Sequence, residues 1–500
     1  MTDTAVASPR PLQSRRRQQL MLLVLAVGTA TYTLLQSLLF PVLPTLQAAF
    51  HTSQANATWI LTSYLLSAAV CTPILGRIGD RYGKKRMFVL ALGALAVGSL
   101  LAAVATTLAV MVVARVIQGL GGAVFPMSFG IVHEHMPPKA VAGSIALIAT
   151  ISGFGSGVGV VLAGPIISAL DYHFLFWIPL IPTAAACVTA FFVVPDSRGE
   201  RSGQLRWPAF VLLAIWLVAG LVAVSDGSEW GWGSRRILAL LLVTAVALPA
   251  WVWFEVRSAT PLIDIAMMRA KPVWTNNLVA LLTGASMFGS LVFIAELVQT
   301  PPSAGYGFGA SVSEAGLMIA PQPILVIIVG VFLGRMMARV GSRRVLLCGA
   351  VALCASMLVI ALAHEHKWEV YFAMGLLGVG ISMTFTAQAN LAVTSVPPDK
   401  TGVNAATNVN IRLIGGAIGA AAMAAVVTSS SAHGSLPPES GYSHAFGFLA
   451  VLAALGAAVT LLIPKPRLGD HSAEMSAAED FRYSPLSPDV VPDPLRVPDR

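Results

Sequence analysis

Gly76-Arg77-Ile78-Gly79-Asp80-Arg81-Tyr82-Gly83-Lys84-Lys85-Arg86 is a short, charged, glycine-rich turn set between two long apolar runs. A second stretch, Gly334-Arg335-Met336-Met337-Ala338-Arg339-Val340-Gly341-Ser342-Arg343-Arg344, aligns with it without a gap. Gly76 pairs with Gly334, Arg77 with Arg335, Arg81 with Arg339, Gly83 with Gly341 and Arg86 with Arg344, each 258 positions apart. A constant offset across most of a chain marks an internal duplication.

The runs around these turns are apolar enough to cross a bilayer. Of the 500 residues 56% are hydrophobic and only 11% charged, with a mean hydropathy of +0.77. Soluble domains carry about 25% charged residues. The apolar runs are about 20 residues long, the length of a spanning helix, with none of the alternating segments of a membrane barrel. Fourteen such runs place 26 Lys and Arg on the side of the N-terminus and three (Arg235, Arg236, Lys367) on the other, with Arg115 and Arg412 inside spans. That asymmetry makes the first side cytoplasmic. It also accounts for the net charge of +8 as a topology signal, with no nucleic-acid partner implied. Cys71, Cys187, Cys348 and Cys354 all lie in apolar runs, without metal-ligand or disulfide spacing. Arg15-Arg16-Arg17 leads into a run long enough to be retained as the first helix. Duplicated halves in such a chain are a feature of secondary transporters.

The expected organisation is an all-α membrane protein with both termini cytoplasmic: a tail over 1–19, six helices over 20–194, a linker with two inserted helices over 195–271, six helices over 272–463, and a disordered tail over 464–500. Among the spans, the first is expected over 20–43, the fourth over 108–132 and the tenth over 314–333. Six helices with short connections need roughly 200 residues. The 258-residue offset therefore leaves room for the unpartnered pair at 207–254.

Few polar groups enter the spans. Arg115 falls several residues inside its helix and should face an aqueous cavity or a partner, with Gln118 three residues on as its neighbour. Arg412 is nearer the cytoplasmic end of its span, where snorkelling to water is the competing expectation. Glu296 is the one acid well inside an apolar run, toward the outer end of the ninth span. It is the first candidate for proton exchange, against an interfacial glutamate that reaches water. Glu314, at a helix start, is expected to face the helix dipole. Tyr32, Gln36, Asn276 and Asn277 are available to line a cavity. Gly153, Gly155, Gly157, Gly159 and Gly164-Pro165 form a small-residue face that permits close packing or a bend. His133-Glu134-His135 and His364-Glu365-His366 sit at membrane edges, where alternate residues do not converge on a metal. The chain lacks a phosphate-cradling Gly-Lys-Ser/Thr loop of the kind that drives ATP pumps.

The organising turn resembles the signature loop between the second and third helices of the major facilitator superfamily. Further segments resemble its fourteen-helix drug:proton antiporter branch: Arg115-Val-Ile-Gln118-Gly119-Leu-Gly121-Gly122 in the fourth helix, Gly164-Pro165 in the fifth, Phe254-Glu255-Val-Arg257 with Pro261-Leu262-Ile-Asp264 after the inserted pair, and Asn408, Arg412, Gly415, Gly416 and Gly419 in the thirteenth. The resemblance covers residues 20–463. It implies two six-helix halves plus an inserted pair. It also implies export of small amphipathic compounds in exchange for protons at the plasma membrane; a monomer without a cofactor is expected, and the excess of Arg over Lys (24 to 7) points to a bacterial source. In this resemblance Gly76, Asp80, Arg81, Gly83 and Arg86, with Gly334, Arg335, Arg339 and Gly341, form a latch that closes the cytoplasmic side. Arg115 and Arg412 take part in coupling, and Gly159, Gly164 and Pro165 belong to a gating helix. The chain departs from the pattern at Leu35 and Gln36, where the family often has an acid, at Ser168-Ala169 in place of a glycine pair, and at Ala338 in place of the acid of the repeated turn.

Overall fold

The computed structural model describes residues 15–196, 207–258, 265–396, 401–428 and 437–464. The two tails, except for Arg15 onward and Pro464, fall outside these residues, as do most of the linker after Pro195 and the segment Pro261–Asp264. Fourteen helices are long and apolar enough to span a membrane. They are α1 (Arg15–Ser37), α2 (Gln54–Tyr82), α3 (Lys84–Ala103), α4 (Leu108–His135), α5 (Pro138–Ala169), α6 (Phe174–Val193), α7 (Trp207–Trp230), α8 (Arg235–Val256), α9 (Lys271–Gln299), α10 (Val312–Val340), α11 (Ser342–Leu362), α12 (Lys367–Thr394), α13 (Thr401–Thr428) and α14 (Glu439–Thr460). Among the described residues there is no strand.

Hydroxyl caps start four of the helices that enter from the outer side. On the outer side Ser53, Thr107, Ser234 and Ser311 cap α2, α4, α8 and α10 by accepting a hydrogen bond from the backbone N–H three residues on. Ser53 and Ser311 are themselves 258 positions apart, so the duplication extends to the caps. On the cytoplasmic side α3 and α11 start from glycines instead.

Several expected boundaries shift for local reasons. The first span ends at Ser37, and a short helix, Leu43–Ala49, follows a turn. The fourth is broken by a 3-10 turn at Leu120–Ala123. There Gly119 and Gly122 let α2 approach, since side chains at these positions would strike Ser67 and Thr72. The tenth starts at Val312, is jointed at Ala320 and extends to Val340. Pro321 and Pro323 follow the joint, and proline cannot donate to the preceding turn.

Helices α1–α6 pack on one another, as do α9–α14. The two sets meet where α2 packs on α13 and α5 on α10. Of the inserted pair, α7 lies against both α2 and α13, whereas α8 packs on α7 and presents apolar residues such as Leu242 and Val246 outward.

Candidate functional site

The organising stretch is mostly helix. It was expected as a turn, but α2 continues through Gly76, Asp80 and Arg81 to Tyr82, and the chain reverses at Gly83 alone. Gly83 has φ 104° and ψ 131°, and Gly341 has φ 81° and ψ 148°, conformations that only glycine adopts without strain. Gly79 serves a different need: a side chain there would meet Met127 Sδ of α4. A side chain at Gly76 or Gly334 would meet nothing, so one glycine in each copy, Gly83 and Gly341, is required by its backbone geometry.

The charges around Gly83 tie the first half together. Lys84 pairs with Glu134 at the end of α4 and lies 3.7 Å from Asp80, whose side chain is about half exposed. Lys85 pairs with Asp196 beyond α6 at 3.1 Å. Glu134, read from sequence as part of a membrane-edge triplet, is thus the anchor of this brace. At the matching place in the second half Ser342 donates to Asn390 Oδ1 at 2.9 Å, and Arg343 donates to the Leu461 carbonyl at 2.6 Å.

Each half buries one arginine with the same kinds of neighbour. Arg115 is fully buried; its Nε donates to the Ile60 carbonyl at 2.9 Å and its Nη1 to Gln118 Oε1 at 2.6 Å. Gln118 passes the chain on to Ser99 Oγ at 2.9 Å. The guanidinium lies 4.1 Å from the centre of the Tyr64 ring, which stacks on Tyr32. Arg412 is 8% exposed; its Nη1 donates to Gln388 Oε1 at 3.2 Å, and its guanidinium lies 3.9 Å from the centre of the Phe385 ring. Gln388 Nε2 donates to Thr283 Oγ1 at 3.1 Å. Arg412 is therefore held sideways by α12. Neither guanidinium has a carboxylate within ion-pair distance among the described residues.

Of the other polar candidates, Tyr32, Asn276 and Asn277 are buried, and Gln36 is partly exposed. Asn276 donates to the Gln388 carbonyl, and Asn277 accepts from Asn408 at 2.9 Å. Here α9 and α13 are in backbone contact, since a side chain at Gly284, Gly415 or Gly419 would strike the facing helix. In α5, Gly155 and Gly159 pack on the backbone of α1, whereas Gly164 packs on Ser313 of the opposite half. Glu314, expected at a helix dipole, also pairs with Lys367.

Glu296 sits where the halves meet at the outer side. Its Oε2 accepts from Gln54 Nε2 at 2.7 Å, and the Tyr442 phenol stands beside the same carboxylate. Three residues on, Gln299 Nε2 donates to the Pro41 carbonyl at 2.7 Å. Sequence reasoning missed Gln54 and Gln299, because a neutral amide at a span end carries no signal of a partner 242 or 258 positions away. One clue was present: Pro41 and Gln299 stand in the register of the duplication.

This chain matches the model of the Major Facilitator Superfamily over residues 25–420 and again over 277–488. It is 28% identical over 422 residues to the multidrug resistance protein Stp of Mycobacterium tuberculosis (strain CDC 1551 / Oshkosh), covering 83% of this chain and 76% of that protein. It is 26% identical over 417 residues to the tetracenomycin C resistance and export protein of Streptomyces glaucescens, covering 82% and 76%. Among solved structures, a POT peptide transporter in complex with sulfate superposes with a TM-score of 0.66 at 13% identity, covering 93% of this chain and 97% of that one. A nucleoside transporter gives 0.60 at 14%, covering 89% and 100%. The structural likeness shows the fold. The family match shows more: the chain belongs to the major facilitator superfamily, as a transporter that crosses a bacterial plasma membrane many times.

Proposed function

We propose that this chain exports small amphipathic, drug-like compounds in exchange for protons, with its two halves rocking to expose a site to each side in turn. Relatives named for multidrug resistance and for tetracenomycin C export support the cargo class. The observation that carries the coupling is the position of Glu296. It is an acid within a span, bonded across the seam to Gln54 of the other half. A group there is lost or gained by both halves at once, so its proton can bias one arrangement over the other. No cofactor is needed if the proton gradient drives the cycle. Arg115 and Arg412 organise their helices through Gln118 and Gln388 and keep the interior positive. The turn at Gly83 holds α2, α3 and α4 as one body during the rocking.

A second reading is export of an endogenous metabolite or lipid without proton coupling. It is favoured by Leu35 and Gln36, which leave the first helix without an acid. Dye uptake into everted membrane vesicles separates the two. With an imposed pH gradient, wild type should accumulate dye and Glu296→Gln should lose most of that accumulation. Uptake that ignores the gradient in both proteins would favour the uncoupled reading.

A further inference from the structure

The outer end of α2 is held on two faces by side chains from two other bodies. On one face Gln54, almost fully buried, bonds Glu296 of α9. Its amide oxygen is buried without a hydrogen-bond partner, so the orientation of this side chain is set from the amide-nitrogen end, where the carboxylate lies. Five residues on, about 140° around the helix, Trp59 Nε1 donates to Asp226 Oδ1 of α7 at 3.1 Å. Next to this, the Gln299–Pro41 bond joins positions 258 apart, the equivalent points of the two halves. A bond between equivalent points lies close to the axis that relates the halves. The outer ends cannot separate without breaking both glutamine bonds. The Trp59–Asp226 bond need not break, since α7 and α2 can move together.

We propose that Gln54 and Gln299 are the closing residues of an outer gate, and that Trp59 and Asp226 tie the inserted helix pair to the N-terminal side of that gate. This rests on the reading of the chain as two rocking halves, but not on protons as the driving ion. The amides suit a gate. Each gains one strong bond on closing, charge-assisted in the case of Gln54, and each returns to water on opening without stranding a charge. The tie gives α7 a defined role. It travels with α2 and slides over α13, covering the seam between them throughout the cycle.

Spin-label distance measurements in nanodiscs test this on a cysteine-free background. Labels at Ala49 and Ser303 report the gate. Adding a label at Gly233 reports the inserted pair. Gln54→Ala with Gln299→Ala should raise the separated Ala49–Ser303 population at least threefold. Gln54→Glu, measured at alkaline pH so that the two facing carboxyls are both ionised and cannot share a proton, should do the same by a route that removes no side chain. As the gate opens, the Gly233–Ala49 distance should stay constant and the Gly233–Ser303 distance should lengthen. Asp226→Asn with Trp59→Phe should broaden the Gly233–Ala49 distance. An unchanged Ala49–Ser303 distribution in both glutamine variants overturns the gate. A Gly233–Ala49 distance that lengthens in step with Ala49–Ser303 overturns the tie. The readout needs no flux, so a chain that moves no dye can still pass it, and one that pumps can still fail.

Discussion

The two cytoplasmic turns share a backbone and differ in what holds it. At Gly83 the brace is ionic: Lys84 to Glu134, with Asp80 alongside and Lys85 to Asp196. At Gly341 it is made of hydrogen bonds without an ion pair among the described residues: Ser342 to Asn390, and the Arg343 guanidinium to a backbone carbonyl. The geometry of the reversal is thus set by glycine, and the ion pairs are an addition seen, among the described residues, in one half. The buried arginines behave in the opposite way. Arg115 with Gln118 and Ser99, and Arg412 with Gln388 and Thr283, repeat one chemistry although Gln118 is on the same helix as its arginine and Gln388 is not. The two arginines do not stand 258 positions apart, so these networks are not copies of one another: the same chemistry recurs at different places in the two halves. At the cytoplasmic surface, where water can satisfy either side chain, the two copies have been free to diverge.

The largest effect expected from this comparison is one that the halves should share. Gly83→Ala and Gly341→Ala each force an alanine into positive φ, at a cost of about 1–3 kcal/mol. Both should lower the melting temperature in detergent by similar amounts. A silent Gly341→Ala beside a damaging Gly83→Ala would mean that the second turn tolerates another backbone.

Next comes the brace itself. A double-mutant cycle on Lys84→Met and Glu134→Gln should give a coupling of about 1.5 kcal/mol, and one on Ser342→Ala and Asn390→Ala about half that, since charge-assisted bonds are roughly twice as strong as neutral ones. Equal couplings would show that the ionic brace contributes nothing beyond a hydrogen bond.

The smallest stability change belongs to Asp80. Its side chain is about half exposed and 3.7 Å from Lys84, so Asp80→Asn should cost under about 0.5 kcal/mol while still slowing transport. Normal flux at a normal protein level would remove this residue from the account of the cycle. Ala338→Asp should gain nothing, because Ser342 stands where a lysine would be needed.

The fourteen spans and the duplication were legible because length, hydropathy and a fixed offset are properties of the chain itself. The extent of α2 was not. Gly76 and Gly79 read as a turn, yet a helix tolerates both, and only Gly83 adopts a backbone that ends it. The roles of Arg115 and Gln118 as neighbours were readable from i, i+3 spacing. That Arg412 would find Gln388 was not, since the two are on different helices. Glu296 was singled out as an acid in an apolar run, but its partner was invisible. Gln54 lies 242 positions earlier, and nothing in its own neighbourhood separates it from an ordinary residue at a helix start.

The central claim is that Glu296 carries the coupled proton at the seam of the two halves. It is tested most directly by adding a transported dye to purified protein in lightly buffered detergent solution, near neutral pH, and measuring proton release. Wild type should release protons on binding, and Glu296→Gln should lose that release with dye affinity retained. Release that persists undiminished in Glu296→Gln would contradict the claim and move the coupled proton to another group.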